Sequence, residues 1–314
     1  MQERRNIMAL TMAGQRGRGW TALFCLLVSS PGLAQDRPPP APAAAPSSEA
    51  KAPAKLEKPA PNAADVVVEA RRVTDRKAIQ RFVSEITAPK VGQIARYHQP
   101  LCPTVVGIAS EYGDLIRRRI IEIARRVRIP VDQSPRCLTN FLLVIAPDVS
   151  GFIRDARKSG PGWFGGMEPA DIDRLERSTA PVRAWSTTSL RNESGRQVGS
   201  EGTLLTHTAS LIDEVTTQYL DASFVIIDRE ATYGLTLRQI ADYAAMRGLA
   251  QTQVPTGQTR MATILGLFEA TGNGRPPEMT RTDLIYLQSL YKEKGFVKGV
   301  YERNRIAAEL ARQE

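Results

Sequence analysis

The chain has 314 residues, with 42 Lys and Arg against 33 Asp and Glu and a formal charge of +9. Its basic excess favours anionic surfaces, but no recognition motif accompanies the charge, which, with the export signal described below, makes nucleic acid a poor candidate partner. Only two histidines, His98 and His207, are present, so no local motif supplies the three ligands that a zinc site needs.

Residues 1–35 read as a secretory signal. Arg4, Arg5, Arg16 and Arg18 give a positive start, Trp20 to Val28 a short apolar run, and Gly32-Leu33-Ala34 the small residues of a cleavage site. Cys25 lies inside the apolar run behind bulky Phe24, which speaks against lipidation. Removing four Arg and one Glu with the signal leaves the mature chain at about +6. No later stretch approaches the length and apolarity of a membrane span, so no integral membrane segment is expected after cleavage. Residues 36–64 hold eight prolines among Ala, Ser, Lys and Glu, and cannot bury enough area to order themselves. This stretch is either a spacer or an unselected tail.

A single mixed α+β domain is predicted for residues 65–314, with a central sheet and a helical C-terminal third. A short strand is expected at Val66–Val68 and a helix over Asp75–Ala88, with Ile79, Phe82, Val83 and Ile86 along one side. Thr104–Ile108 reads as a strand or an extended entry to the next helix. That helix, Ser110–Val127, sets an isoleucine-rich stripe against arginines that include Arg117, Arg118 and Arg125. Its arginine face has two readings, a site for an anionic envelope polymer or a solvated surface.

Phe141–Ala146 is wholly apolar and reads as a central strand. Cys102 and Cys137 are the two cysteines left after signal cleavage; in an oxidising compartment they can close a bridge around the arginine helix, or else stay buried thiols. Helices at Val149–Lys158 and Pro169–Ser178 flank a glycine-rich loop carrying Trp163 and Phe164. That aromatic pair either meets a partner or folds back onto the domain. Strands are expected at Val182–Leu190 and Ser223–Asp228, with a further candidate near Leu211–Tyr219.

Thr236 with Gln239, and Thr280 with Asp283, are capping boxes that open two helices, Thr236–Ala250 and Thr280–Tyr291. On the first, Ala241, Asp242, Ala245, Gly248 and Gln251 repeat the spacing of an extended zinc-peptidase motif. The acid and the glycine fall where that motif has them, while all three histidines are replaced. Thr263-Ile264-Leu265 stands where such a domain has its methionine turn. Over Leu235–Tyr291 the chain therefore resembles metzincin-type peptidases without their metal ligands. The resemblance implies a degenerate zincin-like fold and no metal. Asp242 is then either an acid facing a cleft or a buried carboxylate satisfied by backbone N–H groups or an arginine.

The elements Cys102–Gly107, Cys137–Ile145 and Leu237–Met246 also resemble an uncharacterised family of exported alphaproteobacterial proteins. That likeness implies export and brings no activity with it. No Gly-x-Ser-x-Gly elbow or phosphate loop is present, and no catalytic residue or cofactor is assigned. The reading is a non-catalytic periplasmic or secreted domain that binds a protein or cell-envelope component. The alternative is an envelope hydrolase with an unconventional active site.

Overall fold

The computed structural model describes residues 76–88, 92–198, 214–257, 261–292 and 295–313. The signal, the proline-rich stretch, Val66–Val68, His207 and the start of the strand expected from Leu211 lie outside them. In chain order the elements are α1 (Arg76–Ile86), β1 (Pro103–Val106), α2 (Ser110–Arg126), β2 (Phe141–Ala146), α3 (Val149–Ser159), α4 (Pro169–Arg177), β3 (Val182–Asn192), β4 (Thr216–Asp228), α5 (Leu237–Leu249), α6 (Arg281–Tyr291) and α7 (Gly299–Gln313).

The sheet runs β1-β2-β4-β3. The first three strands are parallel, with Pro103 opposite Phe141 and Phe141 opposite Ser223, and β3 closes one edge antiparallel to β4. All six residues of β2 are buried, as a strand covered on both faces requires. Phe141, Leu143 and Ile145 join one core with α1, α2, α5, α6 and α7. Leu142, Val144 and Ala146 join a second beneath α3, with Phe164 and Trp185. Helices thus lie on both sides of the sheet, in one α+β domain of three layers.

Local chemistry sets the helix starts. Asp148 caps α3 by accepting from the Gly151 N–H at 2.8 Å. The two threonine capping boxes form as expected, Thr236–Gln239 at α5 and Thr280–Asp283 at α6. Cys102 and Cys137 are bonded, closing a loop of 35 residues' separation around β1 and α2. Asn140 reinforces that junction, accepting from Cys102 N at 2.8 Å and donating to the Pro100 carbonyl at 2.9 Å. A disulfide fits an oxidising compartment, and no helix among the described residues is long and apolar enough to cross a membrane.

The expected break between strands at Tyr219 and Ser223 is absent. From Thr216, β4 is one continuous strand. Polar Asp221 and the small Ala222 interrupt its apolar pattern; Ala222 pairs with Thr187 and Leu220 with Thr188, so Asp221 is the extra residue of a β-bulge in β4 that shifts the register without ending the strand.

Candidate functional site

Helix α5 carries the peptidase-like spacing, and its surroundings determine what that spacing does. Ten of its 13 residues are buried, as expected of a helix that is apolar around most of its circumference. Ala241 and Ala245 are fully buried. Gly248 lies against the β2 ring of Phe141, and a Cβ built there would come within 2.4 Å of Cε2. The glycine permits close approach of helix to sheet.

The helix ends by being tied down. The Thr252 hydroxyl donates to the Met246 carbonyl at 2.8 Å, Ser223 to Gly248 at 2.6 Å, and Tyr291 to Leu249 at 2.5 Å. Carbonyls that a helix C-terminus leaves without partners are thereby satisfied by hydroxyls from three other segments. Gln251, where the motif would carry its third ligand, is half-buried, and its main-chain carbonyl accepts from Ala88 N at 2.7 Å.

Asp242 is fully buried, and both its oxygens are engaged. The Arg119 guanidinium of α2 donates through Nε to Oδ1 at 2.7 Å and through Nη2 to Oδ2 at 3.2 Å. The main-chain N–H of Met279 adds a third bond, to Oδ2 at 2.6 Å. Asp242 leads the causes that raise the Arg119 pKa above its usual value, against the opposing effect of burial. Three segments distant in sequence (α2, α5 and the approach to α6) meet at this carboxylate. The cleft-facing reading of Asp242 gives way to the satisfied buried acid.

The turn after Thr263 is held by a second buried acid. Asp283 accepts from the Thr263 hydroxyl at 2.6 Å and from Ile264 N at 2.7 Å while completing its own capping box. Burial raises its carboxyl pKa against the lowering effect of these bonds.

The aromatic loop is folded back rather than offered to a partner. Phe164 is 3% exposed and stacks on Trp185 with centroids 5.4 Å apart. Trp163 packs on Phe224 and Phe152, and its carbonyl accepts from the Trp185 indole N–H at 2.7 Å. Of the two readings of this pair, the geometry matches the loop folded back onto the domain: rings of this area gain more from covering the second core than from solvent.

Arg118 and Arg125 are exposed on α2, without an ion pair among the described residues, whereas Arg117 is half-buried and pairs with Asp114 at 3.4 Å. Tyr112 and Leu115 are also exposed there, while Ile116, Ile120 and Ile123 face the core.

Two features escaped the sequence reading. Arg96, 1% exposed, forms an ion pair with fully buried Glu302 of α7 and donates to the Leu290 carbonyl at 2.5 Å. Neighbouring His98 stacks on Tyr219 at 4.1 Å, and Arg191 lies 4.8 Å from the same ring. Burial first, then the charges of Arg96 and Arg191, lower the His98 pKa to about 4. No periodicity or motif marks Arg96-Tyr97-His98; the ion-pair partner of Arg96 and the ring under His98 lie over a hundred residues away.

Among the described residues no group of three His, Cys, Asp or Glu could hold a metal ion. Comparison with known proteins finds no matching family model, no similar curated protein and no similar solved structure.

Proposed function

We propose that this is a non-catalytic domain of the periplasm or extracellular space that binds a protein or a cell-envelope component. The observation that supports it is the commitment of Asp242. An acid whose two oxygens take three hydrogen bonds from Arg119 and Met279 has no free lone pair well placed to activate water. The alanines beside it are packed into the core. On this reading the spacing on α5 is the remnant of a peptidase helix turned to structural use, and the exposed face of α2, with Arg118 and Arg125, is the contact surface.

Crosslinking in intact cells, followed by affinity capture, tests the proposal. Wild type is expected to retain a specific neighbour that Arg118→Glu/Arg125→Glu loses. Capture of no specific neighbour by wild type would count against binding. Metal analysis of the purified chain tests the non-catalytic half, and stoichiometric zinc would overturn it.

A further inference from the structure

Three helices end at one place: α2 at Arg126, α6 at Tyr291 and α7 at Gln313. Between them lies a cavity of about 320 Å³, lined by Arg126, Arg128, Gln288, Ser289, Lys292 and Glu309 among others. None of its three cations has an ion pair among the described residues. Its one carboxylate, Glu309, is already paired with Arg312 and accepts from Gln313 Nε2 at 2.6 Å. Ser289 is 7% exposed, and its buried Oγ has no hydrogen-bond partner.

Arg128 is the informative residue. It is the one described non-glycine residue with positive φ, at 68°. The chain here closes α2 as a Schellman motif, with Arg128 N donating to the Arg125 carbonyl at 3.0 Å and Ile129 N to that of Ala124 at 2.8 Å. Its left-handed position is one that glycine fills without strain. A cation near a helix C-terminus is ordinarily explained by the macrodipole, and Arg126 already supplies one for α2. The macrodipole does not account for a second arginine held in an unfavourable backbone conformation. Three helix ends contribute roughly −0.5 each, against three full positive charges, so the cavity remains positive.

We infer that this cavity is a binding site for a phosphate group. The Arg126 and Arg128 guanidinium forks suit tetrahedral oxyanions, Lys292 adds a point charge, and the Ser289 hydroxyl and Gln288 amide are neutral donors. The space exceeds a bare phosphate and admits the small group esterified to it. This names a ligand chemistry for the binding role proposed above and rests on that reading only for the source of the ligand.

The test titrates the purified full chain with inorganic phosphate and glycerol phosphate by calorimetry, and with phosphatidylglycerol and phosphatidylcholine vesicles by flotation. Arg128→Gly removes the cation while relieving the backbone, so its unliganded unfolding midpoint is expected to rise by about 1–3 °C. Its phosphate affinity is expected to fall by roughly tenfold or more. Lys292→Gln should weaken binding in the same direction, and Lys158→Gln, on α3 against the other face of the sheet, should leave it unchanged. Arg128-dependent binding of glycerol phosphate without flotation marks a soluble ester as the source. Arg128-dependent flotation with phosphatidylglycerol alone marks a lipid headgroup. Wild-type affinity in both cavity variants, or no saturable binding by any arm, would overturn the site and leave the cations serving the helix ends alone. That failure beside a specific neighbour captured in cells would sink the cavity and not the binding role.

Discussion

Asp242→Asn separates a structural acid from a functional one, because it removes the charge and keeps the shape. In the wild type the carboxylate takes two bonds from Arg119 and one from Met279 N, at 2.6–3.2 Å. Asp242 is wholly buried, whereas the Arg119 side chain keeps 16% of its surface and a second partner in Glu122 at 3.0 Å. Breaking a buried ion pair from one side costs roughly 3–5 kcal/mol. Arg119 retains some hydration and another acid, so the lower end, about 3 kcal/mol, is expected. For a domain of this size that is a fall of about 6–12 °C in the unfolding midpoint. Asp242→Ala should cost roughly 1–3 kcal/mol more, because Met279 N–H loses its acceptor. Thermal and urea unfolding would measure both variants, with Arg119→Gln completing a double-mutant cycle. A coupling of about 1.5–3 kcal/mol is expected between the two side chains. A midpoint within about 1 °C of wild type for Asp242→Asn, or a coupling near zero, would refute the structural assignment.

Three further outcomes follow from the geometry. Reducing Cys102–Cys137, or replacing both by serine, should cost about 3–4 kcal/mol, the loop-closure entropy for a separation of 35 residues; an unfolding midpoint insensitive to reductant would contradict it. Gly248→Ala sets a gain of about 1 kcal/mol in helix propensity against a Cβ placed 2.4 Å from Phe141 Cε2. Overpacking costs about 1–3 kcal/mol and should win, and Phe141→Leu in the same chain should restore part of the loss in urea unfolding. The His98 pKa is lowered from 6.5 to about 4, so the unfolded state binds more protons between those values. Its contribution is therefore complete above about pH 6.5 and lost as pH falls towards 4. Allowing for solvent screening of this half-buried ring, the loss is about 1–2 kcal/mol; His98→Phe should flatten that limb, and an NMR titration of His98 near 6.5 would disprove the assignment.

Much of the fold is legible wherever the signal is local. Phe141–Ala146 is apolar without interruption, and only a strand buried on both faces suits such a run. Thr236 and Thr280 announce their helices through side chains three residues away, and both caps form. What was not legible depends on long-range partners. Nothing near Gly299 opens α7 by a recognisable cap, although a buried partner for its Glu302 lies at Arg96, 206 residues earlier in the chain. The continuity of β4 is hidden for the same reason, since β3 pairs with it along nearly its whole length, the polar half included. Trp163 and Phe164 sit among glycines, and folding back is readable from the cost of exposing them, but nothing local names Trp185 and Phe224 as the rings they meet.

The candidate site shows how one spacing serves two purposes. Residues at i, i+4 and i+7 share a helix face, which allows two histidines and a helix-ending glycine to serve one metal. The same face, if small, allows a helix to lie close against a sheet. On α5 those positions are Ala241, Ala245 and Gly248, and Gly248 meets Phe141 with no room for a methyl. An imidazole at 241 or 245 would displace a fully buried neighbourhood, at the cost that overpacked cores incur. Small residues at these positions and close packing against the sheet therefore support one another physically. Asp242 completes the logic: beside a metal a carboxylate of this kind activates water, but beside Arg119 and Met279 N it acts as a clamp. Its three hydrogen bonds, more than the helix spacing, make α5 a packing element.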